Sequence, residues 1–143
     1  MKIILIINIA FMVLLTGVEK ESPENILKQS TANLDKITQI LKTVKDNETS
    51  KIAIPKLKEI FLETETINNN WRPVMEKMEQ LGKEKNEKES NEFKKHFEPL
   101  TIAYGQLTSE KNRVLLLKDT KDLKNLIESK EWLKGYMAYI FSH

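Results

Sequence analysis

The chain has 143 residues, a net charge of +2 and no cysteine, and these features already exclude several classes of protein. Without cysteine, disulfides, thiolate metal sites, iron–sulfur clusters and lipid attachment at an N-terminal cysteine are excluded. Positive and negative charges are balanced and arginine occurs only at Arg72 and Arg113, so we expect no nucleic-acid partner, because such a partner requires a strongly basic patch.

The N-terminal residues follow the order of a secretory signal peptide. Lys2 supplies a positive start, Ile3 to Leu15 are apolar apart from Asn8, and charge begins abruptly at Glu19. Sixteen residues of helix, from 3 to 18, would cover about 24 Å, which is short of a hydrocarbon core of about 30 Å.

We therefore expect residues 1–17 to be a cleaved signal peptide, followed by a helical domain over residues 18–143. An uncleaved anchor over residues 3–18 and a buried core helix are the alternatives. Cleavage or anchoring places the domain outside the cytoplasm, in the periplasm or as a secreted protein, and the chain contacts a membrane only if the leader stays uncleaved.

The first predicted helix opens at Ser22 and Pro23, since serine caps free N–H groups and proline fits the first turn. Cap and turn residues at positions 46–50 end it. Two rows with seven-residue spacing, typical of an amphipathic helix, lie between: Leu27, Leu34 and Leu41, and Ser30, Ile37 and Val44.

The second predicted helix runs from about Ser50 to Leu81 and is stopped by Gly82. Pro73 lies in its interior and should kink or split it. Two rows continue over four heptads: Leu57, Thr64, Trp71 and Met78, and Ile60, Ile67, Val74 and Leu81. We interpret Trp71, Trp132, Met75 and Met78 as core or helix-face residues.

Residues 82–91 contain no apolar side chain and predict a solvated loop. A third helix is expected from near Ser90, with a bend or weak turn at Pro99 and Gly105. Its apolar positions are Phe93, Phe97, Leu100, Tyr104 and Leu107.

A fourth helix is expected after the junction or continuation at residues 115–117, capped by Asp119 or Thr120. Its inward positions are Leu123, Leu126, Ile127, Leu133, Met137 and Ile140. Since no stretch alternates as a strand does, the fold class predicted is all-α: an up-down antiparallel bundle of about four helices with coiled-coil-like stripes.

The first hairpin carries a segment with the order KD-x3-SK-x-A-x-PKL, formed by eight residues: Lys45, Asp46, Ser50, Lys51, Ala53, Pro55, Lys56 and Leu57. This segment resembles one found in small exported bacterial helical proteins of unknown function. The resemblance covers residues 34–81, implies a leader followed by a helical body, and brings no assigned activity.

This sequence contains few residues of the kinds that catalytic sites commonly use. The two histidines are His96 and the terminal His143. Glu92 and His96 are one helical turn apart and could offer two metal ligands, but a stable site needs three or four. We single out no catalytic, cofactor-binding or metal-binding residue and expect a non-enzymatic exported protein that binds another protein, self-associates or has a structural role.

The alternative is a bundle that carries a ligand or haem. The segment from Glu92 to Phe97 is similar to the third helix of haem bundles of the cytochrome b562 type, which hold haem between a methionine and a histidine. This chain departs from them, because its first helix lacks the methionine and its fourth has no histidine except His143. The remaining pair is His96 with Met75 or Met78.

Overall fold

The computed structural model describes residues 21–142, and every regular element in that range is helical. The predicted leader lies outside the described residues. Within them, no helix is both long and apolar enough to cross a membrane. The all-α class is confirmed by the helices α1 (Pro23–Lys42), α2 (Asn47–Asn68), α3 (Arg72–Glu84), α4 (Glu87–Lys94), α5 (Phe97–Leu115), α6 (Lys121–Glu128), a 3-10 turn (Glu131–Leu133) and α7 (Tyr136–Ser142).

Helix α1 begins where the sequence predicts and lies at the centre of the packing. Ser22 Oγ accepts a hydrogen bond from the Asn25 N–H at 3.2 Å, and Pro23 opens the first turn. The helix packs most extensively against α5 and α2, and also against α3. Both of its predicted rows are buried, which confirms the stripe: Leu27, Leu34, Leu41, Ser30, Ile37 and Val44.

Helix α2 begins at Asn47, slightly before the predicted Ser50, because Asp46 and Thr49 form a reciprocal cap. Asp46 Oδ1 accepts from the Thr49 N–H at 2.9 Å, and the Thr49 hydroxyl accepts from the Asp46 N–H at 3.0 Å. The hydrogen bond from the Thr49 backbone lowers the pKa of Asp46. Pro55 lies inside the helix.

The long second helix is split before Pro73, as predicted, with α2 ending at Asn68 and α3 beginning at Arg72. Along its two rows, Met78 is exposed and Ile67 is half-buried, whereas the other members are buried. The stop at Gly82 is wrong, because α3 continues to Glu84 and ends on Lys85, whose φ of 52° is left-handed.

The predicted loop over residues 82–91 is also wrong, because the end of α3 and the first part of α4 together occupy most of it. Asn86 caps this helix by accepting a hydrogen bond from the Glu89 N–H at 3.2 Å. Glutamate and lysine favour an exposed helix, so the absence of apolar residues indicated solvent exposure rather than irregular structure.

The third predicted helix is interrupted at Lys95 and His96, not at Pro99 or Gly105. Pro99 is the third residue of α5, where its missing N–H breaks no helical hydrogen bond. Gly105 continues within the helix.

The fourth predicted helix is replaced by α6, the 3-10 turn and α7. Thr120 precedes α6, but its hydroxyl donates to the Leu117 carbonyl at 3.4 Å and makes no cap bond. Leu126 and Met137 are half-buried rather than buried. The other predicted positions are buried, together with two aromatic residues that the stripe did not include: Leu123, Ile127, Leu133, Ile140, Trp132 and Tyr136.

Aromatic contacts hold these short elements to the helices. Phe61 of α2 meets Trp132 edge-on at 5.5 Å, and Tyr104 of α5 stacks on Tyr136 at 5.8 Å between ring centroids. Tyr136 also contacts Trp71 at 6.4 Å, beside the α2–α3 break. The C-terminal elements therefore complete the core through rings rather than through a continuous helical stripe.

Candidate functional site

An apolar groove of about 720 Å³ lies between α3, α4, α5 and α7. Such a volume is typical of pockets that bind small molecules or partner side chains. Its apolar lining comes from four separate elements: Met78, Leu81, Phe93, Phe97, Ile102 and Phe141.

The groove concentrates the exposed apolar surface of the described residues. Met78, Ile102 and Phe141 are 39%, 55% and 41% exposed, and they are three of six large exposed apolar residues in residues 21–142. Isolated exposed apolar residues are ordinary, but a contiguous apolar patch marks an interaction site. This groove is therefore the strongest candidate site in the described chain.

The walls of the groove are held in place by aromatic packing below them. Trp71 is buried and meets Phe97 at 6.4 Å and Phe141 at 6.3 Å, both edge-on. Phe93 meets Phe97 edge-on at 5.6 Å across the α4–α5 junction. Rings from α4, α5, α7 and the α2–α3 break thus fix the spacing of the walls.

Gly82 leaves space open along the groove. It lies within α3 and lines the groove, and a Cβ added there would have no heavy atom within 4 Å. A side chain at this position would extend into the open space without a clash at its first atom. The sequence pattern predicts a helix stop at Gly82 and gives no sign that this residue lines a groove.

A polar cavity of about 280 Å³ adjoins the groove and shares Leu81, Ser90 and Lys94 with it. Lys85 also lines this cavity. Within residues 21–142, neither Lys85 nor Lys94 makes an ion pair. The remaining lining residues are Asn86, Glu87 and Asn91.

An ion pair braces α3 against α4 beside these cavities. Lys77 Nζ donates to Glu89 Oε1 at 2.6 Å, and this bond raises the pKa of Lys77. The pair holds together the two helices that frame the polar end.

The residues considered for metal or haem do not meet in the groove. Met78 lines the groove, but Met75 and His96 do not. Glu92 pairs with Lys95 at 2.8 Å, and His96 lies half-buried at the α4–α5 junction. His143 lies outside the described residues. Among residues 21–142, no group of three or more potential metal ligands is found.

A second depression, of about 670 Å³, lies along the outer face of α1 and α2. Lys36 and Glu63 line it and face each other across it at 3.7 Å. Most of its other lining residues are charged or polar, including Asp35 and Glu59. Such a surface is typical of a solvated helix face.

A buried polar cluster lies where α1 meets the α2–α3 break. Trp71 Nε1 donates to Ser30 Oγ at 3.2 Å, and the Tyr136 hydroxyl donates to Asn68 Oδ1 at 3.1 Å. Burial raises the pKa of Tyr136 to about 12, against the effect of a hydrogen bond with Ser30. The phenol is therefore neutral at physiological pH and serves packing.

The resembling segment at the first turn has a structural part in this fold. Asp46 caps α2, and Ser50, Ala53 and Leu57 are buried beneath it. The family resemblance itself stays a prediction. No protein-family model, no curated protein and no solved structure matches the chain. Its function must therefore be argued from its own residues.

Proposed function

We propose that this chain is an exported, non-enzymatic binding protein with a helical-bundle domain of up-down type. The groove between α3, α4, α5 and α7 is its binding surface. The observation that carries this proposal is the clustering of Met78, Ile102 and Phe141 around one open apolar groove. A domain in water exposes such a surface at a cost, and binding recovers that cost.

Export is supported by the order of the leader, in which Lys2 precedes an apolar run and charge starts at Glu19. Fractionation of the source cells with N-terminal sequencing tests this part. We expect the protein outside the cytoplasm and beginning near Val18. Cytoplasmic protein that begins at Met1 would contradict it.

The binding surface is tested with Nile red, an uncharged dye that fluoresces in apolar sites. The folded chain should bind the dye. Gly82→Phe should abolish binding, because the new ring fills the groove. The matched control is Gly105→Phe, since Gly105 is also helical with open space around it but does not line the groove. Equal dye binding by both variants would refute the assignment of the surface.

A further inference from the structure

The groove and the polar cavity adjoin each other, because Leu81, Ser90 and Lys94 line both, and we call the two together the depression. We infer that this depression binds a single-chain amphiphile with an anionic head, such as a long-chain fatty acid. The tail lies along the groove and the head lies between Lys85 and Lys94. This inference rests on the proposed binding function and adds the class of ligand.

The larger cavity fits an alkyl tail. Its volume of about 720 Å³ lies within the usual range for small-molecule pockets, and apolar side chains make up most of its surface. Phe93 and Leu81 form buried parts of the wall, whereas Ile102 and Phe141 are open to solvent. A tail placed here would remove these two exposed side chains from water.

The smaller cavity fits an anionic head. Two lysines, Lys85 and Lys94, line it together with one acidic residue, Glu87. Among residues 21–142, both lysines lack an ion-pair partner, whereas the nearby Lys77 and Lys83 are paired with glutamates. The excess of positive charge favours a carboxylate over an uncharged head.

The arrangement also favours an amphiphile over a helix of a partner protein. Polar and apolar surfaces follow one another along the depression, with Lys85 at the polar end and Ile102 at the apolar end. An amphipathic helix requires an apolar strip along its whole length, flanked by polar residues on both sides. Glu98 lines the apolar part as well, and its carboxylate disfavours placing an anionic head there.

Calorimetric titration of the full chain tests the head, with hexadecanoate and hexadecanol at concentrations where both are monomeric. We expect the acid to bind, and the alcohol to bind roughly tenfold more weakly. The two ligands share one tail, so the difference in affinity reports the charge of the head. Lys85→Gln and Lys94→Gln should each weaken acid binding roughly two- to fivefold and leave alcohol binding unchanged. Lys58→Gln, an exposed lysine that lines neither cavity, is the control.

The tail is tested with Gly82→Phe, which should abolish binding of both ligands, and with Gly105→Phe, which should leave both intact. Ile102→Asp is a second test, because this exposed residue tolerates a charge while its carboxylate opposes the tail. This substitution should weaken the binding of both ligands without changing the circular dichroism spectrum of the chain. Retention of full affinity in both groove variants would overturn the inference.

The result for the dye separates this inference from the proposed function. If Nile red binds in the groove but hexadecanoate does not, the ligand class is wrong and an apolar surface of a partner protein is the better occupant. Equal affinity for acid and alcohol, unchanged in Lys85→Gln and Lys94→Gln, would overturn the anionic head. If neither dye nor acid binds, the proposed function fails as well.

Discussion

The two ends of α5 lie in regions of opposite character. At its C-terminal end, Arg113 donates to the carbonyl oxygens of Leu41 at 2.7 Å and Val44 at 2.9 Å, closing the end of α1. At its N-terminal end, Phe97 and Ile102 border the open groove. We call these the closed end and the groove end.

The difference lies in how each end uses its polar and apolar groups. The closed end satisfies the last carbonyls of α1 and the first N–H groups of α2, through Arg113 and Asp46. The groove end leaves Met78 and Phe141 exposed. One region therefore stabilises the fold, and the other keeps an apolar surface available.

The largest expected effect is the loss of a core side chain in α2, away from the open groove. Leu57 is fully buried, so Leu57→Ala should lower the free energy of unfolding by about 2–5 kcal/mol. Ile67→Ala should cost less, because Ile67 is half-buried. Ile102→Ser at the groove end, and Lys58→Ala on the surface, should change stability by no more than about 0.5 kcal/mol. Comparable urea midpoints for Leu57→Ala and Ile102→Ser would contradict the view that the buried core stabilises the fold and the exposed groove residues do not.

Arg113→Ala should come next, with a loss of roughly 2 kcal/mol, since it removes charge-assisted hydrogen bonds to two carbonyl oxygens. Arg72→Ala is the control, because the ion pair of Arg72 among residues 21–142 is an exposed one, with Glu76 at 2.8 Å in α3. It should cost no more than about 0.5 kcal/mol. Thermal unfolding of both variants measures the difference, and equal melting temperatures would argue against a closing function for Arg113.

Tyr136 is expected to make the stability of the molecule sensitive to alkaline pH. Its pKa is about 12 in the folded chain against an ordinary 10.0, so between these values the unfolded phenol ionises while the folded one keeps its proton. The free energy of unfolding should therefore fall as pH rises through this window, by at most about 1.4 kcal/mol per pH unit.

Tyr136→Phe should remove that part of the alkaline loss, and at neutral pH it should cost about 1 kcal/mol through the lost hydrogen bond to Asn68. Urea unfolding at pH 8 and pH 11 compares the two chains. If the free energy of unfolding falls equally in the chain and in Tyr136→Phe between these pH values, groups other than Tyr136 cause the alkaline sensitivity.

The smallest expected effect is a gain at the groove end. Gly82 lies in α3 with open space around it, so Gly82→Ala should raise the free energy of unfolding by roughly 0.5–1 kcal/mol. Gly105→Ala should give a similar gain in α5. A destabilised Gly82→Ala chain, with Gly105→Ala stabilised, would mean that the groove is narrower than it is in this structure.

The all-helical class and the core of the first hairpin could be predicted because long helices repeat their pattern. Leu27, Leu34 and Leu41 each bury the same face, and every turn reinforces the period. The short elements of the C-terminal region do not repeat an apolar pattern in this way. Trp132 and Tyr136 are buried by contacts with Phe61 and Tyr104, which lie far away in sequence.

The groove could not be predicted for the same reason. Its walls combine Met78, Phe93, Ile102 and Phe141 from four elements, and no local pattern links these positions. The first part of α4 could not be predicted from the polar composition of residues 82–91, because an exposed helix and a solvated loop have similar compositions. The position of Met78 in a heptad row of the second predicted helix predicted packing, whereas the helix break after Asn68 changes which face of α3 is covered.

The bonds from Arg113 to α1 also set an order in time. They join residues 69 and 72 positions apart in the chain, so α1 cannot be fully covered until most of the domain has been synthesised. At roughly 5–20 residues per second, the ribosome needs several seconds to add that length. During this interval α1 lacks α5, the helix against which it packs most extensively. For the export proposed above, this interval is the time in which a translocation machinery would engage the chain before α5 covers α1.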